Sequence, residues 1–128
     1  MADPLEQQAR AVQAHAYAPY SNYRVGAALE ATDGRVFVGC NIENASYGLT
    51  LCAERAAVSR AVADGARRFR RLVVVSDSEP PASMCGACRQ VLFEFGSELV
   101  VESIGPDSRH RWLLGDLLPA AFSKGTLA

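Results

Sequence analysis

The sequence lacks the features of a membrane, secreted or nucleic-acid-binding protein. It has no run approaching the roughly eighteen apolar residues that a membrane-spanning helix needs. Its opening segment, MADPLEQQAR, has an acidic residue where a secretory signal needs positive charge and then an apolar stretch. The formal net charge of −1 leaves no excess of basic residues for a polyanionic partner. These absences predict a cytoplasmic protein with no membrane or nucleic-acid partner.

Basic residues cluster in one short segment, ARRFRR at residues 66–71. One such cluster in a slightly acidic chain makes a small electrostatic field. We therefore interpret the segment as a solvent-exposed loop between a helix and a strand rather than a nucleic-acid patch. No function is predicted for its basic members, which are Arg67, Arg68, Arg70 and Arg71.

Length and composition indicate one domain over residues 1–128. Hydrophobic residues make up 49% of the chain and charged residues 21%, which is ordinary for a globular protein and unlike a disordered chain. A chain of this length can bury roughly two thirds of its unfolded surface around one core. Two separate cores would be cramped, so we predict a single domain.

Periodicity and turn residues predict the order of the helices and strands. Asp3 can cap, and Pro4 can start, a helix over residues 5–16. Asp33 and Gly34 predict a hairpin turn between two strands. The predicted strands cover residues 23–31, 35–42, 70–78, 98–104 and, more weakly, 110–114; further helices cover 52–65 and 85–95, and a C-terminal segment covers 115–128.

This order of elements favours an α/β fold. An antiparallel hairpin comes first, and helical crossovers then join strands that are expected to pair in parallel. The strand over residues 70–78 contains the continuously apolar, mostly β-branched run LVVV, which is typical of a strand covered on both faces. We therefore predict a three-layer α/β/α sandwich on a mixed five-stranded sheet, with this strand at its centre.

Four cysteines in a chain without a secretory signal are more typical of metal ligands, catalytic groups or core residues than of disulfides. Cys85 and Cys88, in the segment CGAC, lie three residues apart near a helix N-terminus, so both sulfurs share one helical face. Cys52 opens another predicted helix. The free N–H groups and the dipole at such ends favour thiolates. If both helices begin at the same end of the sheet, three thiolates can converge.

Three protein ligands leave the fourth position of a zinc ion open, which is typical of catalytic zinc, whereas structural zinc is usually closed by four. Cys40 is the only candidate for a fourth sulfur, and we interpret it as a small core residue of a strand. His15 and His110 are interpreted as surface or edge residues. Glu54 lies two residues after Cys52 and does not share its helical face, so it is a poor second ligand. It can, however, lie beside a metal-bound water.

The segments CAE at residues 52–54 and CGACRQ at residues 85–90 resemble the zinc-dependent cytidine deaminases. The segments PYSNYRVGAAL, CNIENASYGLTLCAERAA and LLPAAF are similar to the small, homotetrameric members of that family, so the resemblance covers most of the chain. It implies the cytidine deaminase-like α/β fold, a homotetramer with active sites shared between subunits, and one zinc ion per chain held by Cys52, Cys85 and Cys88.

The resemblance also implies a reaction. It predicts that cytidine, and deoxycytidine, are hydrolysed to uridine or deoxyuridine and ammonia in pyrimidine salvage. A zinc-activated hydroxide would attack C4 while Glu54 carries protons. Three thiolates around Zn²⁺ leave a net charge of about −1, which weakens acidification of the water. Arg55 is expected to offset this charge by donating hydrogen bonds to cysteine sulfurs, with help from the two helix N-termini.

Six further residues resemble substrate contacts of the family. Asn41 and Glu43 resemble the residues that bind the ribose hydroxyls, since an amide and a carboxylate suit a vicinal diol. Tyr23 stands where the family often has phenylalanine and is expected to offer an aromatic face to the base. The others resemble groups that neighbouring subunits contribute: the backbone at Ala45 and the side chains of Tyr47 and Phe122.

Met84 differs from the family motif, which usually has proline just before the first cysteine of the pair. Zinc takes nitrogen, oxygen and thiolate sulfur, so a thioether is a poor ligand. We therefore interpret Met84 as a flexible filler beside the site. The absence of proline affects the rigidity of this approach more than the chemistry.

Three alternatives to this reading stay open at the level of sequence. A structural zinc module would use Cys40 as a fourth ligand and leave Glu54 without a catalytic purpose. A thioredoxin-like redox protein would explain the CGAC segment but neither Cys52 nor the loop ENASYG. A deaminase could also act on another cytosine nucleoside or an antibiotic that contains cytosine.

Overall fold

The fold is a mixed five-stranded sheet with helices on both faces. It is given by a computed structural model that describes residues 3–127. The strands are β1 Val25–Ala31, β2 Val36–Cys40, β3 Phe69–Ser76, β4 Val100–Ile104 and β5 Arg109–Leu113. The helices are α1 Pro4–Gln13, α2 Ala53–Ala63, α3 Gly86–Phe93, α4 Leu114–Leu117 and α5 Lys124–Leu127, with a 3₁₀ turn over Tyr47–Leu49.

The strand order is β2-β1-β3-β4-β5, which places β3 in the middle of the sheet. β1 is antiparallel to both β2 and β3, and β4 is antiparallel to β5. β3 and β4 are parallel, and α3 forms the crossover between them. The predicted mixed sheet and its central strand are therefore confirmed.

Two apolar clusters lie on the two faces of the sheet. On one face, Leu5 and Ala9 of α1 pack against Val73 and Val75 of β3. On the other face, residues of α2 and α3 pack against the alternate side chains of the strands, among them Ala57, Leu92, Leu72 and Val74. This alternation confirms the predicted three-layer arrangement.

Gly39 allows α2 to lie directly on β2. A Cβ atom at this position would lie 2.6 Å from the carbonyl oxygen of Ala53 and still closer to the backbone nitrogen of Ala57. No side chain fits that space without moving α2. The close contact therefore fixes the first two turns of α2, which carry Glu54, against the sheet.

Several predicted boundaries differ from those of the structure. α1 ends at Gln13 rather than at residue 16, and β2 ends at Cys40 rather than at residue 42. Ile42 forms isolated bridges with Tyr17 and Leu51 instead. Leu114 begins α4 rather than ending a strand.

The predicted helix start and hairpin turn are confirmed. The Asp3 carboxylate accepts a hydrogen bond from the N–H of Leu5 at 3.0 Å, and Pro4 is the first residue of α1. Gly34 has a φ of 95°, the left-handed region that a tight turn between β1 and β2 requires of glycine. Within residues 3–127, the chain forms no helix that is both long and apolar enough to cross a membrane.

Candidate active site

The N-termini of α2 and α3 meet at one end of the sheet. Val25 begins β1 and pairs with Ser76, which ends the antiparallel strand β3. Both residues line a cavity of about 300 Å³ together with Cys52 and Cys85, the residues that precede the two helices. The two helices thus begin at the same end of the sheet, as the convergence of the three thiols requires.

The three cysteine sulfurs form a compact trio. The Sγ atoms of Cys52, Cys85 and Cys88 all lie within 4.8 Å of one another. The sulfurs of Cys52 and Cys85 are 3.7 Å apart. Thiolates on a tetrahedral zinc with Zn–S bonds of about 2.3 Å are separated by roughly 3.8 Å. The donor set and its spacing therefore fit zinc.

Local backbone geometry leaves these sulfurs free to bind a metal. Cys52 and Cys85 are the N-cap residues of α2 and α3, with extended backbones, and neither side chain caps its own helix. Cys88 lies in the first turn of α3, three residues after Cys85, and is 0% exposed. All three sulfurs lie near helix N-termini, where the backbone partial charge favours thiolates.

Contacts within the trio shift the pKa values of Cys52 and Cys88 in opposite directions. A hydrogen bond from the Cys88 thiol, with a smaller contribution from Arg55, lowers the pKa of Cys52 to about 5 against the effect of burial. The pKa of Cys88 is raised, because this thiol is the proton donor to Cys52 and is itself buried. Cys52 is thus the thiolate that forms first, and a divalent cation would favour loss of the remaining protons.

Arg55 supplies positive charge next to the trio. Its Nη2 lies 3.5 Å from Cys52 Sγ and 3.5 Å from the carbonyl oxygen of Thr50. The hydrogen bond to Cys52 raises the pKa of Arg55. Its Nε is buried and has no hydrogen-bond partner within residues 3–127. The guanidinium therefore lies beside the Cys52 sulfur and still has one N–H donor, at Nε, without an acceptor in the part of the chain that the structure describes.

Glu54 lies in the same cavity and is 6% exposed. Burial raises the pKa of this carboxyl to about 7, and the negative charge of Cys52 adds to the rise. A carboxyl with such a pKa gains and loses protons readily at neutral pH. The residue is thus placed beside the thiol trio, as expected for a proton carrier.

Three of the predicted substrate contacts line this cavity: Tyr23, Asn41 and Glu43. Asn41 Oδ1 accepts a hydrogen bond from the N–H of Val25 at 2.9 Å, and its Nδ2 donates to the carbonyl oxygen of Tyr23 at 2.8 Å. The side chain therefore fixes the backbone on both sides of Arg24. One N–H and one oxygen lone pair of its amide are left for a ligand.

The Glu43 carboxylate is held by the loop in front of the cavity. Its Oε1 accepts hydrogen bonds from the N–H groups of Tyr20 at 2.9 Å and Ser21 at 3.1 Å, and its Oε2 accepts one from the Ser21 hydroxyl. The Ser21 hydroxyl lowers the pKa of Glu43, with smaller contributions from these N–H groups. Of about four lone pairs on an ionised carboxylate, one remains free on Oε2.

The other three predicted contacts do not reach this cavity within the chain. Ala45 is exposed, Tyr47 is 79% exposed, and Phe122 is 57% exposed. None of them is among the residues that line the cavity with the thiols. Tyr47 lines an adjoining cavity of about 350 Å³ that shares Glu43 and Thr50 with the first. Within one chain, none of the three is therefore placed to contact a ligand in the cavity that holds the thiols.

The residues interpreted as outside the metal site lie away from the trio. Cys40 is a free, half-buried thiol of β2, and among residues 3–127 the candidate metal cluster contains neither Cys40 nor a histidine. His15 and His110 are exposed. Met84 is 5% exposed and belongs to the larger apolar cluster, so it fills space beside Cys88.

Two of the four arginines in the basic segment, Arg70 and Arg71, form ion pairs with carboxylates. Arg67 donates to the carbonyl oxygens of Val62 at 3.0 Å and Ala66 at 2.9 Å. Arg70 forms an ion pair with Glu30 at 3.0 Å. Arg71 binds the carboxylates of Asp3 and Glu102. Three of the four side chains thus contact neighbouring parts of the fold.

Sequence reasoning missed several residues of the cavity wall. Ser76 could have been found, because ligands of α/β folds commonly bind at the carboxyl ends of strands. Four others lie in loops whose path the sequence does not reveal, and three lie within β1, α2 and β3. The missed lining residues are Val25, Thr50, Leu51, Ala53, Val74, Ser76, Ala82 and Ser83.

Comparison with known proteins agrees with this geometry. The family described as the cytidine and deoxycytidylate deaminase zinc-binding region matches residues 3–103. A cytidine deaminase of Sporosarcina psychrophila is 47% identical over 128 residues, covering 98% of this chain and 94% of that protein.

Solved structures are similar over nearly the whole chain. The crystal structure of cytidine deaminase from Burkholderia pseudomallei has a TM-score of 0.89 and 49% identity, covering 92% of this chain and 96% of that one. The cytidine deaminase from Mycobacterium tuberculosis has a TM-score of 0.79 and 48% identity, covering 92% and 94% of the two chains.

The fold and the thiol trio define a zinc-dependent deaminase of the α/β class. More narrowly, the chain belongs to the cytidine deaminase family. This membership excludes the structural zinc module and the redox protein as descriptions of the chain.

Proposed function

We propose that this chain hydrolyses cytidine, and deoxycytidine as a second substrate, to the corresponding uracil nucleoside and ammonia. The observation that carries the proposal is the composition of one cavity. It brings Cys52 and Cys85 of the thiol trio together with the buried carboxyl of Glu54 and with Asn41 and Glu43. This cavity thus combines a metal site, a proton carrier and polar groups for a sugar.

Zinc bound by the three cysteines would supply Lewis acidity that makes water nucleophilic at neutral pH. Glu54 removes a proton from the attacking water and delivers it to N3 of the base, which makes C4 more electrophilic. The C4–O bond forms, the proton of the new C4 hydroxyl passes through Glu54 to the amino group, and the C4–N bond breaks as the carbonyl forms and ammonia leaves. The close packing of α2 on β2 at Gly39 keeps Glu54 in place for both transfers.

Asn41 and Glu43 are proposed to bind the ribose. The hydrogen-bonding positions that they do not use within the chain are one N–H donor and one acceptor on Asn41 and one acceptor on Glu43. A vicinal diol offers two O–H donors and can also accept, so it matches this set. Tyr23, on the same wall, is proposed to offer its ring to the base.

The charge of the cavity favours a nucleoside over a nucleotide. Within residues 3–127, no arginine or lysine lines this cavity or the adjoining one, whereas Glu43 lines both and Glu54 lines the first. A 5′-phosphate would bring about two negative charges next to these carboxylates and the thiolates. Like charges placed together cost several kcal/mol.

We expect the negative charge of the cavity to affect the relative turnover of four candidate substrates. The value of kcat/KM for cytidine monophosphate should be at least about 100-fold below that for cytidine. Deoxycytidine should lie within about tenfold of cytidine, since it lacks one hydrogen bond. Free cytosine should fall by about 100-fold or more because it lacks the binding energy of the sugar. Uridine, uracil and ammonia formation by the zinc-loaded protein are the measurements.

Equal turnover of cytidine and its monophosphate would contradict the role given to the cavity charge. No turnover of any of the four compounds by zinc-loaded protein would contradict the proposed function.

The active unit is proposed to be a homotetramer. Large apolar side chains lie exposed around the loops beside the cavity, including Tyr17, Tyr20, Ile42, Tyr47 and Leu49. Exposed apolar groups in such a patch are typical of an interaction surface. A second copy of the chain is the proposed occupant, because Tyr47 and Phe122 could then reach a neighbour's cavity.

Truncation after Pro119 is expected to weaken both subunit association and cytidine binding, because it removes Phe122. The finer substitution Phe122→Ala should raise KM for cytidine, while Leu127→Ala, which changes another exposed apolar side chain of the same segment, should not. Sedimentation and activity measured on the same sample test this expectation. A fully active monomer would refute the proposed assembly.

The proposal also includes one domain over residues 1–128, a cytoplasmic location and a place in pyrimidine salvage. Support for the location comes from the metal site, because three clustered thiols are kept reduced most readily in a reducing compartment.

A further inference from the structure

Cys85 is positioned by the loop in front of α3. It is the N-cap of that helix, with φ −64° and ψ 160°, and its residue is exposed. Cys88, by contrast, lies within the helix and is buried in the apolar core. The location of the Cys85 sulfur relative to the other two therefore depends on how firmly residues 82–84 are held.

Arg89 binds three consecutive residues at this point. Its Nε donates to the carbonyl oxygen of Met84 at 2.8 Å, and its Nη2 donates to the hydroxyl of Ser83 at 2.8 Å. Its backbone N–H donates to the carbonyl oxygen of Cys85 at 3.1 Å. One residue of α3 thus holds residues 83–85 through three separate donors.

The same guanidinium also reaches the C-terminal part of the chain. Its Nη1 donates to the carbonyl oxygen of Leu117 at 2.7 Å. The next residue, Gln90, donates from Nε2 to the carbonyl oxygen of Phe122 at 2.8 Å. The loop that carries Cys85 and the segment that carries Phe122 are therefore tied to the same turn of α3.

We propose that Arg89 is a positioning residue for the zinc site, which fixes Cys85 against Cys52 and Cys88 and joins this loop to the C-terminal segment at Leu117. The proposal rests on zinc binding by the three cysteines. Arginine suits the task because its planar fork directs donors to several acceptors at once, which the single ammonium group of lysine cannot reproduce.

A hydrogen bond from β4 also holds the loop in front of α3, so a change at Arg89 should not release the whole loop. The hydroxyl of Ser103, on β4, donates to the carbonyl oxygen of Ala82 at 2.6 Å. The start of the loop therefore stays attached to the sheet without Arg89. The stretch next to Cys85 loses its side-chain support and Leu117 loses one hydrogen bond, so the zinc site should loosen while the fold remains.

The test compares zinc release from Arg89→Lys with release from Arg67→Lys, using the full-length zinc-loaded protein. Arg67 is a matched control because its guanidinium also binds two backbone carbonyl oxygens, but at the end of α2, away from the thiols. Transfer of zinc to a chromogenic chelator is followed at fixed pH. We expect Arg89→Lys to release zinc about tenfold faster or more, as for other groups that support metal ligands, and Arg67→Lys to resemble the wild type.

The absorption spectrum of the cobalt-substituted proteins gives a second readout, and its ligand-field bands should change in Arg89→Lys alone. Wild-type zinc release from Arg89→Lys would overturn the proposal, and so would equal acceleration in both variants. If Arg89→Lys does not fold, Ser83→Ala decides, because it removes one acceptor and should speed release by about threefold. Unchanged release in that variant would then overturn the proposal. Zinc release is measured without substrate. A negative result there would therefore contradict the role of Arg89 without affecting the proposed deamination of cytidine.

Discussion

Replacement of Glu54 by glutamine is expected to lower kcat for cytidine by about 100-fold or more while zinc stays bound. Glutamine has nearly the same size and keeps the packing of α2, but it cannot take a proton from water and deliver it to the base. The three thiols that fit zinc are unchanged. The measurements are zinc content by elemental analysis and uridine formation under saturating cytidine.

A matched control for this substitution is Glu98→Gln, which makes the same chemical change at an exposed position outside the cavity. We expect its kcat to stay within about twofold of the wild type, as for most surface substitutions. Near-normal kcat in Glu54→Gln with full zinc content would contradict the role of Glu54 as proton carrier.

Replacement of Cys88 by alanine is expected to abolish both zinc binding and deamination. Cys88 is the ligand candidate buried in the core, so no exposed side chain can readily take its place. With two of three sulfurs left, zinc per chain should fall well below one, and activity should drop by about 1,000-fold or more. Zinc analysis and turnover of cytidine are measured on the same preparation.

Cys40→Ala is the control for this experiment because it removes a thiol outside the trio. It should retain about one zinc per chain and most of the activity. Loss of zinc from Cys40→Ala together with its retention in Cys88→Ala would contradict the ligand assignment. A circular dichroism spectrum of each variant separates loss of the metal from loss of the fold.

Features set by local sequence could be predicted. Asp3 and Pro4 encode the start of α1, and Asp33 and Gly34 encode the hairpin turn, because capping and turn geometry depend on a few neighbouring residues. The apolar, β-branched residues of β3 indicated its central place. The convergence of the cysteines followed from their positions at two helix starts, once those helices lay at the same end of the sheet.

Features set by contacts distant in sequence could not be predicted. The sequence does not reveal that the Ser21 hydroxyl would bind Glu43, or that Arg89 would reach Leu117. Each contact joins loops whose path is decided by tertiary packing. The proposed roles of Tyr47 and Phe122 came from resemblance alone, since a single chain leaves both side chains exposed.

The most direct test of the account measures zinc content and uridine formation from cytidine on one sample of the full chain, before zinc removal, after removal and after its return. The account predicts about one zinc per chain, with turnover that is lost on removal and restored in proportion to the zinc that rebinds. Protein that holds one zinc on Cys52, Cys85 and Cys88 but forms no uridine from cytidine would contradict it.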